Sequence, residues 1–344
     1  MTPDRLAHPR VTVVGATGAV GRTFLALMRD RGFPARDVEL VASARSAGGT
    51  VRVGADPLPV HDLAEYDFTG RDMAFFSAGT EVSATHAPRA VAAGCLVIDN
   101  SNAFRMRPDA HLVVPQVNGG VLERLPASGI VANPNCSTIP LVRLLQPLHE
   151  HHGLTRVTVS TYQAASGRGR AGTRELLEGA RHALRDPDAE AVADVFDPPL
   201  AFNVVPLIDE LLDDGGTLEE RKMRQEARRI LALPDLDLTA TCVRVPVVDG
   251  HAESVVVDCA RTVPADEVAK LLAAAPEVRV WSDGPPTPRC NPRPDLVHVG
   301  RIRTDPEHGR RILFWLVADN LRIGAALNAL QIAESVARRA VRRG

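Results

Sequence analysis

The chain has 344 residues, 45% of them apolar and 24% charged, and a formal net charge of −2. That is enough chain to bury a sizeable core and to build two domains, and the near balance of charge gives no electrostatic reason to expect nucleic acid or an anionic membrane as the main partner. A small molecule is the expected ligand class. The opening MTPDRLAHPR has no apolar h-region, and nowhere do about 18 apolar residues run together, so neither a secretory signal nor a membrane span is expected and the expected location is cytoplasmic. Cys95, Cys136, Cys242, Cys259 and Cys290 are widely spaced, odd in number and without a CxxC pair, which argues against a zinc site and against a disulfide framework.

The first element is the apolar run Val11 to Val14, which turns through Gly15, Gly18 and Gly21 into a pattern with Val20, Phe24, Leu27 and Met28 on one helical face. Strand, glycine turn and helix in that order suit a dinucleotide. Glycine lets backbone N–H groups approach a pyrophosphate, and the positive end of the helix favours it. After the next strand, VELVAS, an NAD-specific fold would carry an acid for the ribose 2′-hydroxyl. Here Ser43-Ala44-Arg45-Ser46 follows instead, and a guanidinium flanked by hydroxyls suits a 2′-phosphate, so NADP is the expected cofactor. Strands at 73–79 and 96–101, separated by a helix from about Val82 to Ala93, predict a doubly wound parallel α/β sheet, with Ser77 at a ligand-binding strand end.

Leu141, Leu144, Leu145 and Leu148 recur at helical spacing, and Pro140 must fall in the first turn. Cys136 therefore sits at or just before the N-cap, where the positive helix end favours thiolate. Asn133, Asn135, Ser137 and Thr138 surround it with hydrogen-bonding groups, unlike the setting of a thiol that merely fills a core. A nicotinamide cofactor with a cysteine nucleophile implies attack on an aldehyde, hydride transfer and cleavage of a thioester by water or phosphate.

Such chemistry needs a general acid/base. His251 follows Asp249-Gly250, a hairpin signal between TCVRVPVV and HAESVVVDC; a two-residue turn there would pair Val248 with His251 and put Arg244 on the histidine's face. Thr217-Leu218-Glu219-Glu220 reads as a capping box, placing Glu219 and Lys222 three apart in the opening turns of a helix. As pattern alone, these are equally a half-solvated hairpin and a surface ion pair.

Taken together, GATGAVG, ASARSAG, DNSNAFRM, LVVPQVN, ANPNCSTIP, STYQAASGRG, FNVVPLID, EERKM, RVPVVDGHAES, PTP with VGRIR, and ADNLRIGAALNALQIAE resemble the aspartate-semialdehyde dehydrogenase family, in that family's order, from about residue 11 to residue 336. The resemblance implies Cys136 as nucleophile, His251 as acid/base and Gln163 as the residue orienting the acyl intermediate. It implies Arg105 and Lys222 as phosphate cations with Asn135 nearby, and Glu219 and Arg244 for the substrate's amino and carboxylate ends. It also implies Gly15, Thr17, Gly18, Ala19 and Val20 at the diphosphate, Ser43, Arg45 and Ser46 at the 2′-phosphate, and Asn320 near the nicotinamide. A Rossmann-like NADP domain, 1–135 with 318–344, and a mixed-sheet catalytic and dimerisation domain, 136–317, are the implied architecture. The implied assembly is a homodimer, with a tetramer left open. The implied reaction is NADPH-dependent conversion of 4-phospho-L-aspartate to L-aspartate 4-semialdehyde, reversible with phosphate, in amino-acid biosynthesis.

Gly49, Gln116, Ala252 and Ile323 depart from residues common in that family, and none removes a matched catalytic group. Two rivals remain at this level. N-acetyl-glutamyl-phosphate reductases share architecture and chemistry but carry an NPGCY-type motif, where this chain has Asn133-Pro134-Asn135-Cys136. A non-catalytic NADP-binding sensor would have little need for Cys136, His251, Arg105, Lys222 and Arg244 together.

Overall fold

Val11, Val13 and Val14 are all buried in β1 (Arg10–Val14), the pattern of a parallel strand covered on both faces. The structure is a computed structural model describing residues 3–54, 56–186 and 193–343. Two compact units result, Met1–Asn135 with Ala325–Gly344, and Cys136–Gly324.

In the first unit β1 is joined by β2 (Asp37–Ala42), β3 (Thr50–Val53), β4 (Asp56–Asp62), β5 (Met73–Phe76), β6 (Leu96–Asp99), β7 (His111–Leu112) and β8 (Ile130–Ala132), in the order β3-β4-β2-β1-β5-β6-β8-β7. Every neighbouring pair is parallel except β3 with β4. The doubly wound sheet expected from the sequence is therefore present, with one antiparallel strand at its edge. Its topological switch lies between β1 and β5, where ligands of such sheets bind. The helix Ala19–Asp30 buries Phe24, Leu25, Leu27 and Met28, and the Phe24 ring stacks on Phe75 of β5 with centroids 4.0 Å apart. The helix Thr80–Ala92 begins two residues before the expected Val82. The last helix, Leu327–Arg343, belongs to this unit: Asn328 donates to the Val113 carbonyl at 2.9 Å and to Asn133 Oδ1 at 2.7 Å, and Arg31 forks onto Glu334 at 2.7 and 2.8 Å.

The second unit is built on β9 (Leu154–Gln163), β10 (Asp237–Arg244), β11 (His251–Cys259), β12 (Val278–Val280), β13 (Val297–Thr304) and β14 (Arg311–Ala318), in the order β10-β9-β11-β14-β13-β12. β10 with β9 and β12 with β13 are parallel, and the remaining neighbours are antiparallel. Alternation is clean on the central strands. Val157, Val159, Thr161 and Gln163 of β9 point to the buried face, and Thr158, Ser160 and Tyr162 to the other. The helices Thr138–His152, Leu218–Ile230 and Ala265–Ala274 pack along the sheet. Residues 318–324 stay with this unit, and the chain returns to the first at Ala325 rather than at 318. The reason is local: the Asn320 carboxamide is bonded to Ser166 and to the Gly250 N–H.

The expected hairpin does not form. β10 and β11 are not neighbours, because β9 lies between them. Pro246 has no N–H with which to continue a ladder, and the segment after β10 crosses the end of β9 instead. Val245 N–H donates to Gln163, Ala165 N–H to Val247 and Ser166 N–H to Val248, so Val248 meets Ser166 and not His251.

Removing the stacked ring at position 24 tests the first unit's core. Phe24→Ala should cost about 3–5 kcal/mol of unfolding free energy, read as a lowered denaturant midpoint.

Candidate active site

The strand alternation dictates which side chains share the buried face of the second sheet. Arg244 of β10 is in register with Gln163 of β9, and Ala252 of β11 with Tyr162, which brings His251 level with Gln163. Arg244, Gln163 and His251 thus form one row across three strands. One row below are Cys242, Thr161 and Glu253. His251 and Arg244 do converge as expected, through the intervening strand rather than through a hairpin. A Cβ placed on Gly167 would lie 2.8 Å from Arg244 Nη1 and 3.6 Å from His251 Cε1, so a side chain there would touch the histidine and push on the guanidinium.

The backbone of Ala164, just past the end of β9, serves both residues. Its N–H donates to His251 Nδ1 at 3.0 Å, and its carbonyl accepts from Arg244 Nη1 at 2.8 Å. In the neutral ring the proton is therefore on Nε2, which has no hydrogen-bond partner among the described residues. Burial, then the Arg244 charge, hold the His251 pKa well below the ordinary imidazole value, against an opposing contribution from the Gly250 backbone. Burial likewise lowers Arg244, against the charges of Cys136 and Glu219.

Cys136 immediately precedes Ser137, the N-cap of the helix Thr138–His152, with Pro140 in the first turn as expected. The positive end of that helix lies beside the sulfur. Gly324 lies against it: a Cβ there would come within 2.7 Å of Cys136 Cβ.

Gln163 is held from two sides. Thr161 Oγ1 donates to its Oε1 at 3.0 Å, and its Nε2 donates to Glu219 Oε1 at 3.1 Å. The capping box is present, with Thr217 accepting from the Glu220 N–H and Glu220 accepting from the Thr217 N–H. Glu219 and Lys222 are not a surface pair. Glu219 is buried, its Oε2 is 3.3 Å from Lys222 Nζ, and Asp209 also binds that ammonium.

In the first unit Gly15 has φ +84°, and a Cβ would sit 2.2 Å from the Ser77 carbonyl oxygen, so the turn after β1 can be made only by glycine. Gly18 is the N-cap of the helix that begins with Ala19 and Val20. Thr17 Oγ1 and Ser46 Oγ are 3.5 Å apart, so the turns after β1 and β2 adjoin. Ser43 accepts from the Ser46 and Ala47 N–H groups, and Arg45 is exposed with no ion-pair partner among the described residues. Arg105 is buried and donates to the Asn100 carbonyl at 3.1 Å, and Asn135 is buried at the unit's last position. Asn320 lies in the second unit, where it pins Gly250 and Ser166.

The Ala164 backbone, Thr161 and Asp209 were not among the residues predicted from sequence. Thr161 could have been found two residues before Gln163 on an alternating strand.

Comparison with known proteins bears on both units. A family model for the semialdehyde dehydrogenase NAD-binding domain matches residues 10–125, and one for the semialdehyde dehydrogenase dimerisation domain matches 145–323. Aspartate-semialdehyde dehydrogenase of Legionella pneumophila is 44% identical over 336 residues, with 96% of each chain covered. The enzyme of that name from Bacillus subtilis is 42% identical over 338 residues, covering 95% of this chain and 96% of the relative. The chain belongs to the aspartate-semialdehyde dehydrogenase family. Among solved structures, aspartate semialdehyde dehydrogenase II of Vibrio cholerae complexed with ASA superposes with a TM-score of 0.93 at 41% identity, covering 96% of this chain and 98% of that one. Family membership makes the chain an oxidoreductase with a nucleotide-binding domain and a dimerisation domain. Among the described residues, no helix is long and apolar enough to cross a membrane.

The electrostatics of the row can be read directly. Arg244→Gln should raise the His251 pKa toward the ordinary imidazole value, because a like charge that opposes protonation is removed. Histidine NMR titration of the two proteins checks this; an unmoved His251 resonance would separate the two side chains electrically.

Proposed function

We propose that the protein is an NADP-dependent aspartate-semialdehyde dehydrogenase that converts 4-phospho-L-aspartate to L-aspartate 4-semialdehyde, reversibly with phosphate. The observation that carries this reading is the Ala164 backbone holding His251 and Arg244 together in the same unit as Cys136. The first unit is the NADP-binding domain. Its glycine turn lets the backbone pass close against the Ser77 carbonyl, where a Cβ on Gly15 would clash, and Arg45 with Ser43 and Ser46 supplies the donors a 2′-phosphate needs. Gly15, Thr17, Gly18, Ala19 and Val20 would hold the diphosphate, with Ser77 and Asn320 as further contacts. NADPH held there supplies the hydride.

The rest is the work of this chain. The Cys136 thiolate attacks the acyl carbon of the substrate, the C–S bond forms, the C–O bond to phosphate breaks and inorganic phosphate leaves. Gln163, fixed by Thr161 and Glu219, orients the acyl oxygen. Once the thioester has been reduced, His251 steadies the thiohemiacetal oxyanion with a hydrogen bond from Nε2, keeping its proton, and the oxyanion collapses to the aldehyde as the C–S bond breaks and the thiolate leaves. Arg105 and Lys222, with Asn135, answer the phosphate charge; Arg244 takes the substrate carboxylate and Glu219 its ammonium. A second copy of the chain docks on the open face of the second sheet. Tyr162 stacks near Trp315 there, with ring centroids 5.2 Å apart, beside half-buried Val243, Val256 and Leu313. The match to a dimerisation-domain model supports this homodimer.

The steady-state assay is NADP reduction with L-aspartate 4-semialdehyde and phosphate. Activity confined to the N-acetyl-glutamate semialdehyde would move the protein to the rival substrate class. Cys136→Ala should lower kcat by more than about a thousandfold while NADP still binds, and undiminished turnover would exclude covalent catalysis at this sulfur. Arg45→Ala should weaken NADP relative to NAD, measured as the ratio of kcat/KM for the two cofactors; an unchanged ratio would move the 2′-phosphate site elsewhere.

A further inference from the structure

Asp209 has no part in the chemistry above, yet it is bonded to Lys222, the lysine read there as a phosphate cation. Its placement is fixed from both sides. Val205 exchanges two backbone hydrogen bonds with Arg244, at 2.9 and 2.8 Å, while the Leu218 N–H donates to the Glu210 carbonyl at 2.8 Å and Leu211 bridges to Thr217. The segment thus runs from the carboxylate-binding arginine to the first turn of the Lys222 helix. Asp209 itself has φ +69°, a conformation that aspartate, asparagine and glycine accept more readily than other residues.

Lys222 Nζ is shared by Asp209 and by Glu219 Oε2 at 3.3 Å, so its ammonium already has two carboxylate partners. Phosphate arriving there meets a carboxylate already in contact with the ammonium it needs. Of the two carboxylates, Glu219 is the more firmly held. Its side chain is 7% exposed and it also accepts from Gln163, whereas the Asp209 side chain is 35% exposed and water can solvate it on release.

We propose that Asp209 competes with phosphate for Lys222: its carboxylate gives up the ammonium when the oxyanion binds, and its charge sets the phosphate affinity of the site. This rests on the assignment of Lys222 as a phosphate cation. Asp209 is a positioning residue in this scheme, acting on phosphate only through Lys222 and through charge. The competition also gives a reason for a charged aspartate where a neutral asparagine would satisfy the same backbone. It keeps phosphate weakly bound, so that product phosphate leaves readily in the reductive direction.

The test uses Asp209→Asn and Asp209→Gly, both of which accept the left-handed backbone. Inorganic phosphate is titrated into the full-length enzyme by calorimetry, and the phosphate and aldehyde KM values are measured separately in the oxidative direction. Phosphate should bind about three- to tenfold more tightly in both variants, as expected for one like charge removed near a partly exposed site. The gain should shrink at high salt, and the KM for phosphate should fall while that for the aldehyde does not. Damage to the fold does not produce tighter binding. A phosphate affinity that is unchanged or weaker in both variants overturns the proposal. Lys222→Gln separates this from the assignment beneath it. If that variant binds phosphate as well as the parent, the role of Lys222 fails and the competition with it; if it binds phosphate poorly while the Asp209 variants show no gain, the competition alone fails.

Discussion

The backbone of one residue, Ala164, is the constraint on which the buried row of the second unit depends. Its N–H reaches His251 and its carbonyl, in the next peptide group, reaches Arg244, so the separation of the imidazole and the guanidinium is set across a single Cα. Both side chains are buried, and a buried guanidinium without an acceptor, or an imidazole free to rotate, would be costly or useless. Ala164 follows directly on β9, and the crossover after β10 clamps the chain there through Ala165 with Val247 and Ser166 with Val248. A backbone held this way moves less than a long side chain. That stiffness lets His251 keep one tautomer with Nε2 presented as donor.

The same sheet sets the Cys136 thiol apart from the buried ones. Cys242 is one row below Arg244, and burial followed by the nearby Glu219 carboxylate pushes its pKa up. Cys95 is pushed up to about 12 and Cys259 to about 11, in each case mainly by burial. Cys136 instead sits at a helix start, half-exposed, in electrostatic contact with Arg244. Glu253 fits the same pattern from the acid side. It is fully buried, neither oxygen has a partner among the described residues, and burial pushes its pKa well above the ordinary carboxyl range, which favours the neutral acid two residues from His251 on the same face.

What could be read from the sequence was what repeats locally. The strand-turn-helix at Val11 to Met28, the capping box at Thr217 and the placement of Cys136 before a helix all follow from spacings of a few residues, and each is found where the spacing put it. The hairpin between β10 and β11 failed because sheet adjacency is not a local property. Asp249-Gly250 does turn the chain, with Gly250 at φ +87°, but strand pairing was decided by β9, some eighty residues earlier in the chain. His251 and Arg244 meet even so, since two strands flanking a common neighbour bring the same face together as two strands paired directly. The Ala164 peptide had no residue-type signature, because backbone groups look alike at every position. Asp209 lay within a quoted motif, yet its ion pair with Lys222 depends on a left-handed turn that its residue type permits without requiring.

The departures from the family's common residues can be placed by the same geometry. Ala252 follows His251, so its side chain points to the opposite face of β11, where it pairs with Tyr162 and Val317; a hydroxyl there would face away from the catalytic row. Gln116 donates to Gln331 Oε1 at 2.8 Å within the first unit, a donor role that an ionised acid could not take. Gly49 falls after the turn carrying Ser43, Arg45 and Ser46, where a lysine would add a second cation beside Arg45. Ile323 is fully buried one residue before Gly324, whose bare Cα lies against Cys136. An ammonium on that side chain would have to be buried or drawn out of the packing, and either response would strain the contact that seats the nucleophile. The apolar side chain lets this contact close without a charge to solvate. Three of the four changes therefore leave the Arg244, Gln163 and His251 row untouched, and the fourth bears on how firmly the sulfur is held.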